Sequence, residues 1–256
     1  MHFTEGNRFL IVGHRGLPEV KTENTLESFK SAFNAGADAV ELDVQLSNDG
    51  IPVVYHDFDM KRLHGSAKRI ENTSYDEILE ISLQKGSPVP KLEELFIKLP
   101  SGKFFIELKT IDNDGTISKN DPAEKVMELI RKYTMEDSVV IISFNPGSLR
   151  LAVKSNPKIK IGLDYDRDSI RMFGSSLFEK STYGKELDFL LPDFNLISLA
   201  KDSSDREKFT KMMPWTVNEV DLFLKIRKAG LKGVITNKSN EFVKVIRQEA
   251  KNTNDV

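Results

Sequence analysis

A (β/α)8 barrel, the TIM-barrel class of α/β fold, is predicted for this chain by three observations. Short apolar runs bounded by turn residues alternate with helically spaced segments along the whole sequence. The runs that read as core strands number eight, and 256 residues is an ordinary size for one such barrel. Parallel strands need crossovers, and right-handed crossovers of that number close a sheet on itself. A doubly wound open sheet is the alternative, but neither a GxGxxG nor a Walker sequence is present to support it.

Residues 9–13 open the series as the first strand. Residues 25–35 follow as a helix, because Leu26, Phe29, Ala32 and Phe33 fall at helical spacing and Gly36 stands where a C-cap would. Residues 39–46 read as the second strand. Asn48-Asp49-Gly50 is a turn signal and residues 51–55 return as a strand, so a hairpin is expected here rather than a crossover. Residues 58–90 carry Gly, Ser, Lys and Arg without sustained periodicity, apart from a helix near 75–81. They are read as a small insertion after the second strand of a single catalytic domain spanning residues 1–256. A helix at 92–98 leads into the third core strand, 103–108, and the next helix, 123–133, has Pro122 placed as at a first helical turn. Strands are expected at 139–144, 159–163, 187–191, 211–215 and 233–236, with helices between most of them and one at the end. The polar stretch 198–210 leaves room for a short helix only, and residues 251–256 are expected to fray.

Composition narrows the function. Lys and Arg, 37 in all, nearly balance 39 Asp and Glu, and they are spread along the chain. The electrostatic footprint of a nucleic-acid binder is therefore missing. No Cys occurs, which removes thiolate nucleophiles, zinc-thiolate sites and iron–sulfur clusters, and fits a reducing compartment. Residues 1–8 are polar, and the apolar stretch 9–12 is too short for a signal-peptide core or a membrane span. A cytoplasmic protein with no stable membrane insertion is expected; its oligomeric state stays open.

Barrels gather their reactive residues at the C-terminal ends of the strands. His14 and Arg15 follow the first strand, Glu41 and Asp43 lie on the second, and Glu107 and Lys109 on the third. Side chains at i and i+2 of a strand share a face, so Glu41 and Asp43 offer two hard carboxylates to one small volume, as an oxygen-ligated divalent cation requires. His14, Arg15 and His56 beside them complete the polar set of a phosphodiesterase centre. Duller readings stand next to these. A lone strand Glu is usually solvent-facing, and Lys109 beside Glu107 makes a simple same-face ion pair. Glu23-Asn24-Thr25 opens a helix, with Asn24 or Thr25 as its cap. Asp57 is read as structural, bound to the insertion's backbone or to a His. Phe144 and Trp215 end strands, where they wall the pocket against substrate carbons or fill the core. His2 is read as a disordered terminal residue and His64 as an exposed loop residue, while Lys61, Arg62, Lys68 and Arg69 read as a solvated basic face.

His14-Arg15-Gly16, Glu23-Asn24-Thr25 with Phe29, Gly36-Ala37-Asp38 leading to Glu41-Leu42-Asp43-Val44, Asp49-Gly50, Val53 and His56-Asp57 together resemble the glycerophosphodiester phosphodiesterase family. The resemblance continues through Val89-Pro90-Lys91-Leu92-Glu93-Glu94, Ile106-Glu107-Leu108-Lys109, Ser143-Phe144, Pro214-Trp215-Thr216-Val217-Asn218 and Gly233-Val234-Ile235-Thr236. It implies a (β/α)8 barrel whose insertion helps cover the site. It also implies Glu41, Asp43 and Glu107 as metal ligands, His14 and His56 as the acid/base pair, and Arg15 and Lys109 as holders of phosphate. Carboxylates select Mg²⁺ or Ca²⁺ over softer metals. The expected reaction is metal-dependent hydrolysis of glycerophosphodiesters, such as glycerophosphocholine and glycerophosphoethanolamine, to glycerol phosphate and an alcohol. One imidazole takes a proton from the nucleophile and the other protonates the leaving alkoxide. The preferred nucleophile is a free glycerol hydroxyl, acting through a cyclic phosphate, with water as the alternative.

Two other functions compete. Lysophospholipase D activity needs a hydrophobic ramp at the barrel mouth, and no exposed apolar run is long enough to argue one. A non-catalytic ligand-binding barrel is disfavoured because every polar residue the chemistry needs is present. An enolase-type site uses acids and lysines spread over later strands, which this chain lacks. Two positions depart from the family's pattern: the Pro often found before Glu-Asn-Thr is Thr22, and the late Thr-Asp followed by Pro reads Thr236-Asn237-Lys238-Ser239. Neither is expected to touch a proposed ligand; the second bears on substrate detail or turn geometry.

Overall fold

The computed structural model describes residues 8–112, 114–197 and 206–254. Its strands, in chain order, are β1 (Leu10–Gly13), β2 (Ala39–Leu46), β3 (Pro52–Val54), β4 (Phe104–Leu108), β5 (Val139–Ser143), β6 (Lys160–Tyr165), β7 (Phe189–Pro192) and β8 (Gly233–Thr236). Seven of them form a curled parallel sheet in the order β7-β6-β5-β4-β2-β1-β8, and β3 folds back antiparallel on β2 as the expected hairpin arm.

Between β7 and β8 the circuit is completed by residues 211–217. Met213 N–H donates to Leu190 O and Trp215 N–H to Pro192 O, while Ile235 N–H donates to Pro214 O and Val217 N–H to Ile235 O. The regular strand expected at 211–215 is reduced to isolated parallel bridges, Leu190 with Met212 and Asp193 with Trp215. Toward β7 the rung between these two bridges is missing because Pro192 has no N–H to give, and toward β8 Pro214 has none either; the Trp215–Thr216 peptide beyond it is cis. With this segment in place the fold is the (β/α)8 barrel.

The helices are α1 (Leu26–Ala35), α2 (Lys61–His64), α3 (Tyr75–Leu83), α4 (Leu92–Lys98), α5 (Ala123–Lys132), α6 (Pro146–Ser155), α7 (Arg167–Phe173), α8 (Lys180–Tyr183), α9 (Arg206–Phe209), α10 (Val220–Ala229) and α11 (Ser239–Asn254). α1 begins where the Thr25 hydroxyl accepts from Ser28 N–H and ends at Gly36 in the left-handed region. Pro122 is the N-cap of α5 rather than part of its first turn. α9 is as short as expected, with residues 198–205 outside the described ones, as is His2. α11 runs through Asn254, past the point where fraying is expected. No helix among the described residues is long and apolar enough to cross a membrane.

Strand alternation divides the core in two. Outward-facing residues such as Val40, Leu42, Ile106 and Ile141 meet the helices, while Val12, Ala39, Phe105, Ile142 and Leu191 fill the barrel interior. The insertion has an apolar cluster of its own, in which Met60, Ile70, Tyr75 and Ile78 join Val53 and Tyr55 of the hairpin. That cluster overturns the expectation for His64. It is buried, with Nδ1 3.0 Å from the Tyr55 hydroxyl and Nε2 3.1 Å from Ser87 O, because the insertion folds around it. The basic residues of the insertion stay largely exposed, as a solvated face would be, and three of them also form ion pairs. Arg62 reaches Glu23 and Asp57, Lys68 pairs with Glu77, and Arg69 joins Glu71 to Asp112; of the four, only Lys61 has none of these pairings.

Candidate active site

The inward rows of β1, β2 and β4 turn from apolar to charged as they reach the C-terminal end of the barrel. Asp43 and Glu107 are register partners across β2 and β4, and Glu41 lies one inward step below Asp43. One oxygen from each of these three buried carboxylates lies within 4.8 Å of the others. Burial and the charges of Asp43 and Glu107 push Glu41 well above the usual carboxylate range. Burial also raises Glu107, with Lys109 opposing and Asp43 adding to it. Burial acts on Asp43 too, yet His56, Arg15 and Lys109 around it and the Asn24 amide hold it below its ordinary value. Its Oδ1 is buried without a hydrogen-bond partner. An open oxygen donor within an all-carboxylate set is the donor chemistry of a hard divalent cation, so these residues fit the ion that the sequence implies.

The turn after β1 supplies the first cation. Arg15 sits in the left-handed region (φ 52°), and so does Gly16 (φ 91°). A Cβ on Gly16 would stand 2.4 Å from Ser28 Oγ, so the chain passes α1 here only as glycine. This turn aims the Arg15 N–H at Glu41 Oε2 (2.9 Å) and its Nη1 at Glu23 Oε1 (2.8 Å), with Nε 3.4 Å from Asp43 Oδ2. Lys109 Nζ lies 3.1 Å from Glu107 Oε1. The same-face ion pair considered for it is therefore real, and it stands inside the cluster.

His14 and His56 both lie within electrostatic reach of the carboxylates. His14 Nδ1 is 2.8 Å from Asn237 Oδ1 and its Nε2 4.0 Å from Glu41 Oε2. Burial, then the Arg15 charge, lowers His14 to about 4, so its imidazole is neutral at pH 7. Its Nδ1–H donates to the amide oxygen, and Nε2 carries the lone pair. Asn237 thus touches a proposed catalytic residue, a contact that the expectation about the metal ligands did not cover. His56 Nδ1 is 2.7 Å from Asp57 Oδ1, and Arg62 Nε 2.7 Å from Asp57 Oδ2. Against its burial, the His56 hydrogen bond and Arg62 keep Asp57 well below the usual carboxylate range. Asp57 takes the second of its two expected structural roles, binding a His.

Several supporting residues escaped the sequence reading. Asn24 is not the cap; in the left-handed region (φ 57°) it donates from Nδ2 to Asp43 Oδ2 at 2.8 Å, and Thr25 does the capping. Glu23 joins Arg15 to Arg62. Gln45 continues the inward row of Glu41 and Asp43, a signal open to inspection. Its Nε2 donates to the carbonyls of Tyr55, His56 and Asp57 and so clamps the His56 loop. Asp164, the single carboxylate of β6, is buried at 3% exposure.

Phe144 and Trp215 meet edge to face at 5.6 Å, and Trp215 Nε1 donates to Leu191 O at 2.7 Å. Both are half-buried, so neither of the two readings weighed for them is displaced. A cleft of about 410 Å³ beyond β6 and β7 is lined by Asp166, Arg167, Asp168, Asp193, Asn195 and Leu196, and by none of the residues that carry the chemistry.

A family model described as the glycerophosphoryl diester phosphodiesterase family matches residues 14–241. A glycerophosphodiester phosphodiesterase of Caldanaerobacter subterraneus subsp. tengcongensis is 29% identical over 246 residues, 93% of this chain and 98% of that protein. A lysophospholipase D of Homo sapiens is 30% identical over 176 residues, 63% of this chain and 54% of its own length. The crystal structure of a glycerophosphodiester phosphodiesterase from Thermotoga maritima is 28% identical with a TM-score of 0.74, covering 93% of this chain and 98% of that one.

Proposed function

Since this chain belongs to the glycerophosphoryl diester phosphodiesterase family and is a glycerophosphodiester phosphodiesterase, we propose that it hydrolyses diesters such as glycerophosphocholine and glycerophosphoethanolamine with a divalent cation at Glu41, Asp43 and Glu107. The observation that carries this reading is the buried three-carboxylate cluster with His14 and His56 beside it and Arg15 and Lys109 against it. A Mg²⁺ or Ca²⁺ ion bound there neutralises the charge of the diester and of its transition state. Arg15 and Lys109 hold the non-bridging phosphate oxygens.

His14, neutral and anchored through Nδ1 on Asn237, takes at Nε2 the proton of the attacking hydroxyl. His56, anchored through Nδ1 on Asp57, gives a proton to the departing alkoxide. A P–O bond forms to the nucleophile as the P–O bond to the alcohol breaks. Two imidazoles flanking the diester support in-line attack by the free glycerol hydroxyl, and water then opens the cyclic phosphate. Phe144 and Trp215 wall the glycerol carbons. The chain acts as one catalytic domain with residues 58–90 as a cover, a reading supported by the apolar cluster that the insertion shares with the hairpin. A cytoplasmic setting belongs to the same reading, as does a small-molecule rather than nucleic-acid partner.

The test is release of glycerol phosphate from a panel of glycerophosphodiesters by protein stripped with chelator and then given Mg²⁺ or Ca²⁺. Turnover restored by either ion is expected. A folded protein inactive on the whole panel with both ions would overturn the reading. Faster turnover of lysophosphatidylcholine would instead favour the lysophospholipase D activity named for the human relative.

A further inference from the structure

Asp164 is a buried carboxylate that the reaction above does not use. Its direction follows from β6 geometry. A Cβ on Gly162 would meet Leu191, Ile142 and Phe189, all residues of the barrel interior, so Gly162 faces inward and Asp164, two residues on, does the same one step nearer the mouth. The strand registers put Leu191 opposite Asp164 on one side, and on the other Phe144 directly follows Ser143, the partner of Leu163. The carboxylate thus stands beside Phe144 of the Phe144–Trp215 wall, two strands from Glu107, and feels the charges of Lys109 and the three acids. It is not part of the 4.8 Å cluster. Its Oδ2 is buried and has no hydrogen-bond partner.

A carboxylate buried without a partner opposes folding, and such a group calls for an explanation in function. The substrate itself offers few groups able to satisfy it. The phosphate presents acceptors only and carries like charge. The leaving alcohol differs from one diester to the next. The glycerol unit always brings two hydroxyl donors, and the one next to the phosphate is the proposed nucleophile, which leaves the terminal one. We propose that Asp164 is a specificity residue that accepts a hydrogen bond from the terminal glycerol hydroxyl, an assignment that rests on the hydrolase reading above. Burial and the charges of Glu107 and Glu41 raise this carboxyl well above its ordinary range, which suits an uncharged hydroxyl better than an ammonium headgroup.

The experiment compares kcat/KM for glycerophosphocholine with that for its analogue lacking only the terminal hydroxyl, in wild type and in Asp164→Leu. Wild type is expected to prefer the hydroxylated substrate by about 10- to 100-fold, the range for leaving a buried polar group without its hydrogen bond. In Asp164→Leu that ratio falls to near one, and the Tm rises because an unpaired buried carboxyl is gone. Should the leucine variant fail to fold, Asp164→Ala reports the same ratio. A wild-type ratio near one, or a preference that survives in the folded variant, overturns the assignment. Inactivity of wild type on both substrates is a separate result that removes the hydrolase reading itself.

Discussion

His14 and His56 differ in what holds their Nδ1, and on the proposed mechanism that difference divides the proton work between them. Asn237 is an uncharged acceptor and leaves His14 a neutral base, whereas Asp57 is a carboxylate, the partner that steadies a proton-donating imidazole. His14→Ala and His56→Ala should each lower kcat by about 10²- to 10⁴-fold, while calorimetric titration with Mg²⁺ or Ca²⁺ stays as in wild type; an active His56→Ala enzyme would remove that residue from the mechanism. The sign of the pH dependence follows from His14. Its base form disappears as pH falls through about 4, so the acid limb of kcat/KM belongs near that pH. Asn237→Asp puts a negative charge on Nδ1, favours the imidazolium and moves the limb to higher pH. A profile that does not move would assign the limb to another group.

Two short elements fix the geometry of the site. The turn after β1 carries both His14 and Arg15, and it passes α1 so closely that Gly16 has no room for a Cβ. Gly16→Ala should cost about 1–3 kcal/mol through backbone strain alone. Calorimetry would show it as a lower Tm, together with weakened turnover, because the Arg15 N–H leaves Glu41. The insertion is held to the barrel where Arg62 meets Glu23 and Asp57. Both carboxyls titrate lower in the fold than in the unfolded chain. Their stabilisation is therefore complete above the unfolded values of about 4 and is lost as pH falls through the folded ones. Arg62→Met should lower Tm at pH 7, with the gap from wild type narrowing below about pH 4. A gap constant with pH would mean that Arg62 acts by packing its stem rather than by charge.

Across the whole molecule, the cluster of Glu41, Asp43 and Glu107 stores mutual repulsion that a cation bound as proposed would relieve. Binding to the folded state alone adds stability as RT ln(1 + [L]/Kd), about 2.7 kcal/mol at a hundredfold excess over Kd. Thermal melts should rise with Mg²⁺ or Ca²⁺ and fall with chelator. Glu107→Gln, which removes one of the repelling charges, should melt higher than wild type in chelator and gain little from either ion. Equal metal-induced shifts in the two proteins would place the ion elsewhere.

The amino-acid sequence determined the barrel class, the hairpin and the sharing of one strand face by Glu41 and Asp43, because these depend on spacing along the chain, whereas Glu107 joined them through the family resemblance. Alternation of period two puts Glu41 and Asp43 on one face, and turn residues at Asn48-Asp49-Gly50 reverse the strand whatever surrounds them. The seventh strand was expected from its apolar run but lost regular ladders to Pro192 on the β7 side and Pro214 on the β8 side, neither of which has an N–H to give. Contacts made by closure of the barrel were decided only in three dimensions. Asn237 lies 223 residues from His14 and reaches it because β8 pairs with β1. Arg62 finds Glu23 once the insertion folds back over the turn, and the same folding buries His64. Asp164 reads as one acid in an apolar strand until neighbouring registers turn it toward the mouth. The short-range physics of strand and turn was legible residue by residue; which polar groups meet across the barrel depends on the sheet being closed.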